Sequence, residues 1–225
     1  MKNPEKIKLL FNNISKHYDF FNRVISLGMQ TLVKKDCLKL LKISKGYKIL
    51  DICTGTGDLA FYMNKIEPDT NITGIDFSEK MLEIANKRKG NNQNLRFLIA
   101  DGRELPFEDN SFDIVTIGFG LRNIENYERV IDEIQRVLKP KGQFLNLDFS
   151  CDEGIGNSIF DLLTSLVTAF YDKKSSYKYL IDSKKTFLNT SELISLFRKK
   201  GYIFLTRKYY ALNVVAAELF RNNKK

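Results

Sequence analysis

The 225-residue chain has no tryptophan, one histidine (His17) and three cysteines, Cys37, Cys53 and Cys151. A single histidine cannot build a multi-histidine metal site. An odd, widely spaced cysteine set without a CxxC pair argues against both a disulfide framework and structural zinc. Reduced thiols and no metal are expected, with His17 a surface or hinge residue. No apolar run approaches the roughly 20 residues that cross a bilayer. Residues 1–13 carry lysines but no uninterrupted apolar stretch followed by a small-residue cleavage site. The expectation is therefore a cytoplasmic protein without a secretory signal.

What the chain has in excess is positive charge: 36 Lys and Arg against 27 Asp and Glu, a formal net charge of +9. That balance suits an anionic partner, either nucleic acid or an anionic membrane surface, and composition does not choose between them. A coding bias toward Lys and Asn explains it equally well.

Short apolar runs alternate with helical patterns, as in a parallel α/β sheet, and the length suits one domain. Strands are expected at residues 47–52, 71–76, 95–100, 112–118 and 143–149. Helices are expected at 58–65, at 79–89 after the cap Ser78, and along a face carrying Val130, Ile134, Val137 and Leu138. The run Lys139-Pro140-Lys141-Gly142 reads as that helix's stop. A helix at 192–200 and strands at 202–207 and 210–220 close the chain. Residues 1–44 read as an N-terminal helical lid, 45–150 as a cofactor-binding core, 151–190 as a helical substrate-covering insertion and 191–225 as the closing elements. In the insertion, Ile159, Leu162, Leu163, Leu166 and Phe170 share a face that packs on the core or lines an apolar pocket.

The first strand ends in Ile49-Leu50-Asp51 and runs into Cys53-Thr54-Gly55-Thr56-Gly57 before a helix near Asp58. A tight turn through Gly55 and Gly57 lets a nucleotide-like ligand approach bare backbone. Gly55-x-Gly57-x-x-Ala60 alone also satisfies the loose dinucleotide fingerprint. Asp76, at the end of the second strand, suits both hydroxyls of a ribose and fits NAD and S-adenosylmethionine equally. Asp101-Gly102, after the third strand, offers an acceptor for an adenine amino group and favours the methyl donor. Such a donor carries its own electrophile, so no catalytic triad is expected.

Taken together, Asp51 to Asp58, Leu105-Pro106-Phe107, the run Thr116-Ile117-Gly118-Phe119-Gly120-Leu121-Arg122-Asn123 and Arg136-Val137-Leu138-Lys139-Pro140 resemble the menaquinone/ubiquinone C-methyltransferases, which methylate a ring carbon of a prenylated quinol. The stretches from Tyr18 to Ser26 and from Tyr177 to Leu180 are similar too, so the likeness spans nearly the whole chain. The resemblance implies a Rossmann-like, seven-stranded, mostly parallel sheet with helices on both faces and an antiparallel strand at the C-terminal edge. It implies S-adenosylmethionine as cofactor, bound by Thr56, Asp76, Asp101 and Gly102, with Asp51, Gly55, Gly57 and Gly118 forming the rest of that site. It also implies that Arg122 and Asn123, with Tyr18 from the lid, meet the quinol, where a cation and an amide orient the ring and stabilise a developing phenolate.

The pattern departs from the family at Gln30, Val33, Lys141 and Asp148. Gln30 and Val33 lie in the expected substrate lid, so the quinol is less defined than the reaction. Demethylmenaquinol or demethylphylloquinol is the leading substrate and a ubiquinone-pathway benzoquinol the near alternative. A nucleic-acid methyltransferase would explain the charge, but no Asn-Pro-Pro-Tyr type motif and no appended RNA-binding module accompany it, so no nucleic-acid partner is expected. A third reading is a nucleotide-binding or NAD-dependent protein. A prenyl tail gives the apolar face and the positive charge a joint explanation as peripheral contact with the inner face of an anionic membrane, or with the plastid stroma as compartment for an organelle-encoded chain.

Overall fold

The alternation is present in the computed structural model, which describes residues 5, 8, 9, 12, 28–152, 154, 156–160 and 187–224. Helix α1 (Met29–Cys37) and a 3-10 turn (Leu38–Leu40) lead into β1 (Lys48–Ile52), α2 (Asp58–Ile66), β2 (Asn71–Asp76), α3 (Glu79–Lys89), β3 (Leu95–Ile99) and β4 (Phe112–Gly118). A second 3-10 turn (Leu121–Asn123) precedes α4 (Tyr127–Val137) and β5 (Leu138–Phe149), and α5 (Thr190–Lys199), β6 (Tyr202–Tyr210) and β7 (Val215–Asn222) follow. Most of residues 1–44 assigned to a lid, and most of the 151–190 insertion, lie outside the described residues.

One seven-stranded sheet runs β3-β2-β1-β4-β5-β7-β6. The first five strands in that order pair in parallel, and β7 runs antiparallel to both β5 and β6. Strand period two divides the core between the faces. Ile49, Ile114, Leu145 and Leu219 pack on one side with Leu59, Ala60 and Met63 of α2. Leu50, Ile52, Val115 and Ile117 pack on the other with α4, whose Val130, Ile131, Ile134 and Val137 are fully buried at helical spacing. Beneath α5, Phe197 and Phe220 stack with centroids 4.4 Å apart, and Phe144 stacks on Phe197 at 5.2 Å.

Several boundaries differ from expectation for local reasons. The strand expected to open at Tyr210 starts only at Val215, and Tyr210 instead ends β6, because Ala211, Leu212 and Asn213 turn the chain at φ 50, 54 and 68. Leu138 pairs with Phe112 and Gln143 with Ile114, so Lys139-Pro140-Lys141-Gly142 is a bulged excursion inside β5, not a loop before it. Pro140 has no N–H for a ladder and Lys141 adopts φ 63, which breaks pairing without ending the strand. Helix α5 starts at Thr190 because Asn189 caps it: the Asn189 side chain accepts from Glu192 N–H while Glu192 reaches back to the Asn189 N–H. Ser78 caps α3 as expected, accepting from Met81 N–H at 3.2 Å.

Candidate active site

Because β1 lies between β2 and β4, the chain leaves their carboxyl ends in opposite directions, and a crevice opens where a ligand can sit between the loops. There the structure has a cleft of about 850 Å³, open to solvent, whose walls include Gly55, Asp76, Asp101, Gly102, Gly118 and Asn123.

The glycine loop is built on a buried carboxylate. Asp51, only 2% exposed, accepts from Thr54 Oγ1 and from Thr116 Oγ1 of β4, both at 2.6 Å. Burial pushes its carboxyl up to about 6, although both hydroxyls favour the ionised form. The turn then passes through Cys53 at φ 55, Gly55 at φ 56 and Gly57 at φ 89. A left-handed cysteine is strained, and its Cβ occupies the space that a side chain at Gly120 would need, 2.5 Å away. From the next strand, Asp76 accepts from Gly55 N–H at 2.8 Å and from Ser78 N–H at 2.9 Å. Burial raises its pKa, and these backbone donors oppose the rise.

Asp58 anchors the far side of the loop. It pairs with Lys34 of α1 at 2.9 Å and with Arg88 of α3 at 2.8 Å, while Arg88 also donates to the Thr56 carbonyl at 2.8 Å. Burial of Asp58 opposes ionisation, but the two cations outweigh it and hold its carboxyl below the usual range. On the opposite wall, Asp101 is gripped by Arg103 from the same turn, with the closest contact 2.7 Å. Burial again opposes ionisation and Arg103 prevails, so the Asp101 pKa is lowered.

The run from Gly118 to Asn123 forms the end of the cleft nearest β4. Arg122 is 3% exposed, and its guanidinium makes a short contact with Asp148 and donates to the Phe119 carbonyl at 2.8 Å. It also lies 4.8 Å over the Phe149 ring. Arg122 is absent from the cleft walls, so the cation implied at the substrate end already faces a buried carboxylate. Asn123 does line the cleft. Its Nδ2 donates to the Phe119 carbonyl at 3.3 Å, and its buried Oδ1 has no hydrogen-bond partner among the described residues.

Of the eight residues expected to hold the cofactor, Gly55, Asp76, Asp101, Gly102 and Gly118 line the cleft. Asp51 sits beneath the loop, and Thr56 and Gly57, within it, are not on the cleft wall. Of the three expected to meet substrate, Asn123 lines the cleft, Arg122 lies behind it and Tyr18 falls outside the described residues. Lys34, Arg88, Arg103 and Asp148 were not singled out as part of the site. Three of them act through partners 24, 30 and 26 residues away, which no local pattern reveals; Arg103 is two residues from Asp101 and was legible as a pair. Among the described residues no group of three or more His, Cys, Asp or Glu could hold a metal ion, and no helix is long and apolar enough to cross a membrane.

The sequence profile of the ubiE/COQ5 methyltransferase family matches residues 1–221. The demethylmenaquinone methyltransferase of Staphylococcus aureus strain JH9 is 37% identical over 224 residues, 96% of this chain and 93% of the relative. Among solved structures, the putative methyltransferase in complex with a methyltransferase activator from Haloferax volcanii superimposes with a TM-score of 0.74 at 17% identity, covering 95% of this chain and 98% of that one. A phosphoethanolamine N-methyltransferase from Haemonchus contortus, solved with S-adenosyl-L-methionine, gives 0.65 at 17% identity over 87% of this chain and 52% of that one. At these identities the solved structures establish the shared fold.

Proposed function

The chain belongs to the ubiE/COQ5 methyltransferase family, and on that premise we propose that it transfers a methyl group from S-adenosylmethionine to a ring carbon of a prenylated naphthoquinol of the demethylmenaquinol type. The observation that carries the substrate is the 37% identity, over nearly the full length of both chains, to a demethylmenaquinone methyltransferase.

The residues present fit the donor. A Cβ at Gly55 would project into open space, so the backbone there is bare toward the cleft. The two carboxylates on the walls suit its hydroxyls and its amino group. Asp76 keeps lone pairs for ribose hydroxyls beyond those taken by Gly55 and Ser78. When bound, the donor supplies a sulfonium-activated methyl group.

The protein's own task is alignment and exclusion of water. Asn123 suits the acceptor, because it lines the cleft and its amide can hydrogen-bond a ring hydroxyl and so orient the carbon beside it. Arg122 acts by position: through Asp148 and the Phe119 carbonyl it holds the turn that carries Asn123. A substrate with a prenyl tail brings the enzyme to a lipid surface, and the net charge of +9 suits an anionic one.

Incubation with radiolabelled donor and each of two quinols tests the substrate. Label in the naphthoquinol is expected. Label only in a ubiquinone-pathway benzoquinol would move the assignment to that pathway, and label in neither would refute the quinone reading. Replacing Asp76 with Ala should weaken adenosylhomocysteine binding by about 1.5–3 kcal/mol in calorimetry.

A further inference from the structure

Arg103 is a charged wall of the donor cleft with no part in the reading above. Its Nε lies 3.1 and 3.0 Å from the two Asp101 oxygens, its Nη2 donates to Oδ2 at 2.7 Å, and its backbone N–H donates to Oδ1 at 2.8 Å. The side chains of Arg103 and Asp101 are 30% and 31% exposed. An ion pair this open to water adds little to stability, so folding alone does not call for so complete a grip. Its effect is geometric. A carboxylate has about four lone-pair directions, and Arg103 takes most of those on one edge, leaving Asp101 little capacity beyond a single further donor. An aspartate carboxyl is ionised at neutral pH and Arg103 lowers its pKa further, so the remaining direction accepts a hydrogen bond and cannot give one; what Arg103 adds is the fixed orientation of that direction.

We propose that Arg103 sets the base specificity of the donor site: by fixing the orientation of the Asp101 carboxylate and leaving it little more than one open acceptor direction, it selects a purine with an amino group at the six position over one with an oxo group. This rests on the reading of the cleft as an adenosyl-donor site. A 6-amino group gives Asp101 an N–H. A 6-oxo group sets an oxygen against a carboxylate that has no proton to share, so two acceptors face each other where the amino group would have made a hydrogen bond. Arg103 is a positioning residue, because it acts through Asp101.

Calorimetry with S-adenosylhomocysteine and S-inosylhomocysteine tests this on the native chain, Arg103→Ala, Arg103→Lys and Asp101→Asn. The native chain is expected to prefer the adenosyl compound. Arg103→Ala should cut that preference about tenfold, mainly by weakening the adenosyl compound. Arg103→Lys should fall between, since an ammonium cannot reproduce the planar fork. Asp101→Asn, whose amide can donate, should shift the preference toward the inosyl compound. A preference ratio in Arg103→Ala equal to the native one overturns the proposal, whether both affinities stay or fall together as from a loosened turn. A native chain that binds neither compound refutes the donor reading itself, a result distinguishable from an unchanged ratio.

Discussion

Replacing Glu218 with Gln should stabilise this protein at alkaline pH and do little at acid pH. Glu218 lies in the middle of β7, 2% exposed, opposite Asn146 of β5 and Arg207 of β6. Its carboxyl accepts a hydrogen bond from Asn146 Nδ2 at 2.9 Å. Burial, reinforced by the nearby charges of Asp148 and Asp152, pushes its carboxyl from 4.5 up to about 7, against the smaller opposing effects of Asn146 and Arg207. A carboxyl whose folded pKa exceeds its unfolded one keeps its proton in the folded chain after the unfolded chain has released it. Folding stability therefore falls as pH rises from about 4.5 to about 7, and levels off above. The rise from 4.5 to about 7, at about 1.36 kcal/mol for each tenfold change in proton affinity, sets an upper bound of about 3.4 kcal/mol lost by pH 8. Glutamine keeps an oxygen for Asn146 and never ionises, so it escapes this loss. Urea unfolding of both chains at about pH 4.5 and pH 8 reads the effect. The variant's advantage should grow by up to about 3 kcal/mol between the two, and any constant offset from the amide itself cancels. An equal gap at both pH values would refute the reasoning.

Two further substitutions probe the wall at Gly118 to Asn123. Arg122→Ala leaves the buried Asp148 without its cation and should cost about 3–5 kcal/mol of stability, seen as a lower thermal midpoint; an unchanged midpoint with lost turnover would instead place the guanidinium on the substrate. Gly120→Ala sets a methyl 2.5 Å from the Cys53 Cβ and should cost about 1–3 kcal/mol. Adding Cys53→Gly should recover most of that loss in urea unfolding, because it removes the clashing atom and relieves a left-handed residue; no recovery would show that the collision is relieved elsewhere.

Much of the cofactor half of the site was legible because its signals are local. The apolar run before Asp51, the glycines at Gly55 and Gly57 and the carboxylate of Asp76 each report a strand end or a turn within a few residues. Gly55, Asp76, Asp101, Gly102 and Gly118 do line one cleft. Asp51 was also singled out, yet it sits beneath the loop because two hydroxyls, one of them Thr116 of β4, draw it inward. The sequence has no local sign of that second hydroxyl, 65 residues away.

By itself the sequence determined the element order, most boundaries and the family to which the chain belongs, since period, caps and turn residues act between near neighbours. Only the tertiary structure decided which charges neutralise one another. Arg122 and Asp148 meet because β4 and β5 are adjacent in the sheet, and Lys34, Asp58 and Arg88 meet because α1 and α3 both reach the first turn of α2. An ion pair falls off with distance in space and is blind to distance along the chain. A residue such as Arg122 therefore reads as a free cation until the fold puts a carboxylate beside it.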